Sequence, residues 1–250
     1  MKLDHTFYNT PIAHRGLHNV AEGFPENSLD AVKRALSFNY GVEIDVQISA
    51  DKKAVVFHDY KLDRLTNKIG LIREKTFDEL KSVFLLGSKN KIPLLSDVLN
   101  IIDGKQPVLI EIKDQDGQLG SNVGDLEKEV SKVLSTYNGP VAVMSFNPYS
   151  LKAYRSFGGL DPIGLVTEAF CEIEWPKISI QKLELLRELV YFDQIPCDFI
   201  SHNFQNLGSH PVEKLRNRGV PVLSWTIKSV ADEVKARKKA INITFEGYMP

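Results

Sequence analysis

Nine short apolar runs punctuate this chain, and the connections between them constrain the fold more than any other feature. They lie at residues 12–14, 42–48, 54–58, 108–112, 141–144, 163–166, 199–200, 222–225 and 241–245. One connection is too short for a crossover. Asp51-Lys52-Lys53, a tight polar turn, joins the second run to the third. A parallel crossover needs about a dozen residues or more, so the third run must return antiparallel. Setting that return arm aside leaves eight runs, most of them followed by an amphipathic helical stretch. Eight such units predict an α/β chain folded as a (β/α)8 TIM barrel, and 250 residues suit one.

Helices are expected at residues 29–39, 77–83, 94–102, 126–137, 148–155, 180–191, 211–218 and 230–238. Ser28 is placed to cap the first and Pro148 to start the fifth, while Gly219 closes the seventh. Residues 60–91 read as an irregular excursion with too few apolar residues for a core of their own. The chain is therefore expected to be a single barrel domain over residues 1–250, with a small insertion at about 60–91. A doubly wound open sheet is the alternative. Neither a GxGxxG nor a phosphate-binding P-loop follows the first run, which argues against it.

Charge narrows the partners. Lys and Arg number 31 against 32 Asp and Glu, a net charge of -1, so no global field recruits nucleic acid or an anionic membrane. No run approaches the roughly 18 apolar residues of a membrane span. The first ten residues lack the apolar stretch of a secretory signal. Cys171 and Cys197 have no CxxC partner and no zinc spacing, so two free thiols in a reducing compartment are expected. A cytoplasmic protein without an integral membrane segment is the expectation; nothing in the sequence specifies an oligomeric state.

The chemistry collects at strand ends. The second run alternates, placing Glu43, Asp45 and Gln47 on one face and Val42, Ile44, Val46 and Ile48 on the other. Folding back at residues 51–53 carries His58 beside Asp45. In a barrel, catalytic groups gather at the C-terminal ends of the strands. His14 and Arg15 end the first, Glu111 and Lys113 the third barrel strand, and Trp225 the seventh. Glu43, Asp45 and Glu111 can offer oxygen ligands to a hard cation, and suit Ca2+ and Mg2+ equally. Arg15 and Lys113 supply fixed positive charge for a phosphate. His14 and His58 titrate near neutrality and can pass protons. Trp225 is the remaining candidate for substrate contact.

Taken singly, each of these residues reads as a solvated loop charge, a core histidine or a surface ion pair. Taken together at buried strand ends they are harder to dismiss, because unpaired buried charge is expensive. His5, His18 and His210 are assigned to loops and helix edges. His202 ends the sixth strand and is compatible with either a structural or a functional role. Phe170 and Trp175 form either an apolar rim or a barrel cap. The absence of a Gly-x-Ser-x-Gly elbow argues against a serine hydrolase.

Seven motifs then occur in one order. They are His14-Arg15-Gly16, Pro25-Glu26-Asn27-Ser28, Glu43-x-Asp45-Val46-Gln47, Val55-Val56-x-His58-Asp59, Leu62-x-Arg64-x-Thr66, Ile92-Pro93-x-Leu95 and Glu111-x-Lys113. In this the chain resembles the glycerophosphodiester phosphodiesterases along nearly its whole length. The resemblance implies a barrel with a small insertion and metal-dependent hydrolysis of glycerophosphodiesters to glycerol 3-phosphate and an alcohol. It implies His14 and His58 as the acid/base pair, Glu43, Asp45 and Glu111 as ligands of Ca2+ or Mg2+, and Arg15 and Lys113 as phosphate contacts. It also implies attack by the substrate's own glycerol hydroxyl, giving a cyclic phosphate that water opens. The chain departs from the family at its end, which reads Ile243-Thr244-Phe245-Glu246-Gly247-Tyr248-Met249-Pro250, with Glu246 near the place of an acid. The short insertion predicts an open site. A sphingomyelinase D-like lyase and a catalytically silent phosphodiester-binding protein are the alternatives. The missing signal and disulfide count against the first, and the complete set of seven residues counts against the second.

Overall fold

Gln47 pairs with Val55 and Ile48 with Ala54 in antiparallel register, so the chain reverses where the short polar turn requires it. Lys52 takes a positive φ of 61° at the tip. A computed structural model describes residues 2–250. Its strands are β1 (Ile12–Ala13), β2 (Gly41–Ile48), β3 (Ala54–Val56), β4 (Val108–Ile112), β5 (Val141–Ser145), β6 (Ile163–Thr167), β7 (Phe199–Asn203), β8 (Val222–Ile227) and β9 (Asn242–Phe245). All but β3 run parallel, and β1 pairs with both β2 and β9. The eight parallel strands thus close into a barrel, with β3 appended outside it on the upper half of β2.

The helices are α1 (Thr6–Asn9), α2 (Leu29–Ser37), α3 (Phe77–Leu80), α4 (Leu95–Ile102), α5 (Asp125–Leu134), α6 (Pro148–Ser156), α7 (Ile180–Arg187), α8 (Val190–Gln194), α9 (His210–Asn217) and α10 (Val230–Ala236). Ser28 caps α2 by accepting from Ala31 N, and Asn147 caps α6 ahead of Pro148. Those bonds satisfy donors that a helix start leaves unpaired. The main core lies between the barrel wall and the helices. It holds Val42, Ile44, Val46 and Ile48 of β2 on its outward face. Glu43, Asp45 and Gln47 take the opposite face, as the alternation predicted.

Three features differ from the expectations. The helix expected at 180–191 is two helices, broken at Leu189, which adopts a φ of 55°. Leu183 and Leu186 pack with Phe170 and Trp175, whereas Leu189 and Phe192 join the main core. The break lets one apolar pattern serve two packing sites. The excursion, short of apolar residues by itself, nevertheless has a core. Leu62, Leu65, Ile72, Leu80, Val83, Leu85 and Ile92 pack on Val55 and Phe57, which the β3 arm turns outward. The polar N-terminus also carries Leu3 and Phe7 into the barrel interior, against Ile12, Leu109, Phe199 and Leu223. Asn242 Nδ2 donates to the carbonyls of Phe7 and Thr10 and ties that segment down.

Candidate active site

Asp45 of β2 lies opposite Glu111 of β4 in the parallel register, and Glu43 stands one inward position below Asp45. All three carboxylates are buried, and an oxygen from each lies within 4.8 Å of the others. Lys113, just past β4, donates to Glu111 Oε1 at 2.7 Å and approaches Asp45 Oδ1 at 3.5 Å.

The turn after β1 supplies the second cation. Arg15 and Gly16 both have positive φ, 54° and 78°. A Cβ on residue 16 would meet the Ala31 backbone at 2.9 Å, so only glycine lets this turn seat against α2. The turn aims Arg15 N at Glu43 Oε2, 2.8 Å away, and brings Arg15 Nε within 3.3 Å of Asp45 Oδ2. Arg15 Nη1 donates to Glu26 Oε1 at 2.7 Å. Arg15 Nε is buried and makes no hydrogen bond. Its contact with Asp45 Oδ2 is thus one of charge rather than an aligned hydrogen bond.

Pro25-Glu26-Asn27-Ser28 acts as a bracket. Glu26 holds Arg15, Asn27 holds Asp45, and Ser28 starts α2. Asn27 Nδ2 donates to Asp45 Oδ2 at 2.9 Å, and Asp45 N donates back to Asn27 Oδ1 at 3.2 Å. Asn27 has a φ of 59°, a conformation its short polar side chain tolerates.

The two histidines share one arrangement. His14 Nδ1 donates to Glu246 Oε2 at 2.5 Å and leaves Nε2 3.9 Å from Glu43 Oε2. His58 Nδ1 donates to Asp59 Oδ1 at 2.6 Å. The carboxylate on Nδ1 fixes the tautomer and leaves Nε2 for proton exchange. Phe57 N donates to Asp45 O and Gln47 Nε2 to His58 O, so the hairpin does set His58 beside the carboxylates. His58 and Lys113 line a cavity of 790 Å³ that extends past Tyr60 to Phe146 and Trp175. Trp225 packs its ring edge-to-face on Phe146, 5.6 Å between centroids, and its indole N–H is used on Ser201 O. It can therefore offer a substrate only its ring.

Protonation follows the crowding. Burial, then the charges of Asp45 and Glu111, push the Glu43 carboxyl well above the usual range. Burial also opposes ionisation of Asp45, but Lys113, His58 and Arg15 outweigh it and hold that carboxyl low. For Lys113, Glu111 and Asp45 likewise outweigh burial and keep the ammonium charged. Burial lowers His14, with Glu246 partly countering it. Three buried oxygen-donor carboxylates confronting two cations, with one carboxyl raised by its neighbours, fit a hard divalent ion.

Of the residues expected at the site, His14, Arg15, Glu43, Asp45, His58, Glu111 and Lys113 converge, and Trp225 stands farther along the barrel mouth beside Phe146. His202 is buried, accepts from Thr167 Oγ1 and donates to Asn206 O. Among the residues given no role from sequence, Glu26, Asp59 and Arg64 form an ion-pair web. Arg64 donates to both oxygens of Asp59 and both of Glu26 at 2.7–2.9 Å. Their presence in the ordered motifs was the available signal. His18 Nε2 lies 3.4 Å from Glu246 Oε2, closer to the site than a loop histidine need be.

Comparison with known proteins agrees with this geometry. The sequence model of the glycerophosphoryl diester phosphodiesterase family matches residues 14–243. A glycerophosphodiester phosphodiesterase of Caldanaerobacter subterraneus is 29% identical over 240 residues, spanning 92% of this chain and 90% of that one. One from Bacillus subtilis is also 29% identical, spanning 95% and 83%. Among solved structures, an Oleispira antarctica phosphodiesterase in complex with its product sn-glycerol 3-phosphate superposes with a TM-score of 0.77 at 23% identity, covering 97% of this chain and 94% of that one. A glycerophosphodiester phosphodiesterase of Thermotoga maritima gives 0.70 at 23% identity, covering 95% and 94%.

Proposed function

The chain belongs to the glycerophosphoryl diester phosphodiesterase family, and from that premise we propose that it hydrolyses glycerophosphodiesters to glycerol 3-phosphate and an alcohol, using a divalent metal and the His14–His58 pair. The observation that carries this reading is the convergence of Glu43, Asp45 and Glu111 with Arg15 and Lys113, flanked by two carboxylate-held histidines.

Glu43, Asp45 and Glu111 would hold the ion, Ca2+ or Mg2+. When bound it supplies positive charge next to the phosphoryl oxygens. The Arg15 guanidinium and the Lys113 ammonium receive the remaining phosphate charge. Proton transfer falls to the histidines. In the route the family resemblance implies, one Nε2 takes the proton of the substrate's glycerol hydroxyl as it attacks phosphorus. The other gives a proton to the departing alkoxide. Water then opens the cyclic phosphate with the two roles exchanged. Glu246 and Asp59 keep both rings in the tautomer that permits this. The 790 Å³ cavity beside His58, walled by Tyr60, Phe146 and Trp175, receives the alcohol group.

The reading treats the chain as one barrel domain and places it in the cytoplasm. The latter is supported by two free cysteines, one of them exposed. Among the described residues no helix is long and apolar enough to cross a membrane.

The test is a panel of glycerophosphocholine, glycerophosphoethanolamine and sphingomyelin, read by release of glycerol 3-phosphate and of the headgroup. Glycerol 3-phosphate from the first two is expected. No turnover of either, or cleavage of sphingomyelin alone, would overturn the reading.

A further inference from the structure

Glu246 is more than a brace for His14. One ligand atom each from His14, His18 and Glu246 lie within 4.8 Å of one another. Glu246 Oε2 is 2.5 Å from His14 Nδ1 and 3.4 Å from His18 Nε2. Lys228 Nζ occupies the other oxygen, Oε1, at 2.7 Å, which turns Oε2 toward the imidazoles. The backbone is pinned at each point: Glu246 N donates to Ile227 O, His14 N to Phe245 O and His18 N to Gly16 O. The three side chains are partly open, with 15%, 22% and 20% of their surface exposed, so an ion can reach them from solvent.

This donor set differs in kind from the carboxylate trio. Two imidazoles and one carboxylate suit Zn2+, Ni2+ or Co2+, whereas three carboxylates suit Ca2+ or Mg2+. His14 stands between the two clusters, with Nδ1 toward Glu246 and Nε2 toward Glu43. We propose that His14, His18 and Glu246 form a second, inhibitory metal site selective for borderline transition-metal ions. Binding at His14 Nδ1 displaces the proton that Nδ1 gives to Glu246. The neutral ring then carries its one proton on Nε2, the atom that must be free to accept. The metal thus blocks the base without entering the carboxylate trio. The inhibitory part rests on the function proposed above; the binding part does not.

The probe is Co2+ added to metal-stripped protein in saturating Mg2+, read by its visible d–d absorption and by paramagnetic broadening of histidine ring resonances. One Co2+ per chain and broadening of His14 and His18 are expected. His18→Gln should weaken Co2+ and Zn2+ binding by roughly ten- to a hundred-fold. It should keep wild-type turnover in Mg2+ while losing sensitivity to Zn2+. Equal binding by wild type and His18→Gln would overturn the proposal. So would loss of binding in Cys171→Ser, which places the ion on the exposed thiol, or in Glu111→Gln, which places it in the carboxylate trio. The broadening is read on wild type, so a His18→Gln protein that misfolds leaves the test decisive. If Co2+ binds through His18 in a protein that hydrolyses no glycerophosphodiester, the site stands and the inhibitory role falls with the function.

Discussion

His58 and His202 show how little a residue's type decides. His58 has a carboxylate on Nδ1 and an open cavity before it, whereas His202 is sealed between Thr167 and Asn206. Replacing His58 by Ala should lower turnover by about 10²–10⁴-fold with substrate still bound, measured by steady-state kinetics and a direct binding titration. His202 should instead report on stability. Burial pushes its imidazole down from 6.5 to about 4. The unfolded chain therefore takes up a proton near pH 6.5 that the folded protein refuses until about pH 4. Stability from this residue is complete above pH 6.5 and is lost as pH falls across that window, by on the order of 3 kcal/mol. Urea unfolding at about pH 7.5 and pH 5 measures it, and His202→Gln should lack this component. The difference between the two histidines was only half legible in the sequence. The short turn at 51–53 placed His58, but both ended strands, and nothing local revealed the hydroxyl and carbonyl that close around His202.

Between the residue and the barrel stand the turn after β1, the Pro25–Ser28 bracket and the excursion. Arg64, on the excursion, reaches both flanks of the candidate site at once, through Asp59 to His58 and through Glu26 to Arg15. Its side chain is 48% exposed, so the ion pairs themselves should contribute about 1 kcal/mol or less to stability. Its effect should appear in kinetics. Arg64→Gln is expected to lower kcat by roughly ten- to a hundred-fold with the unfolding midpoint nearly unchanged. A purely structural role would give the reverse pattern, a lowered midpoint with kcat intact. The excursion's core escaped sequence reading for a physical reason. Two of its nine buried residues, Val55 and Phe57, come from the outward side of the hairpin arm, so counting apolar residues within 60–91 underestimates it.

At the scale of the whole molecule, eight staves, one return arm and the strand-end convergence of seven polar residues were all readable from run lengths and alternation. The barrel floor was not. Leu3 and Phe7 sit in a polar decapeptide, and their burial depends on a barrel interior that exists only after β1 and β9 pair. Phe7, fully buried, should cost about 3–5 kcal/mol when replaced by Ala, seen as a lowered midpoint in urea unfolding. The buried carboxylates at the mouth are proposed to make this barrel a metal-dependent phosphodiesterase. That proposal is tested most directly by glycerol 3-phosphate release from glycerophosphocholine as Ca2+ or Mg2+ is titrated into rigorously stripped protein. No turnover in EDTA is expected, with saturable recovery on adding metal, and half-saturation at a concentration at least about ten-fold higher for Glu43→Gln. Full turnover by the stripped protein in EDTA, or identical metal curves for wild type and Glu43→Gln, would contradict it.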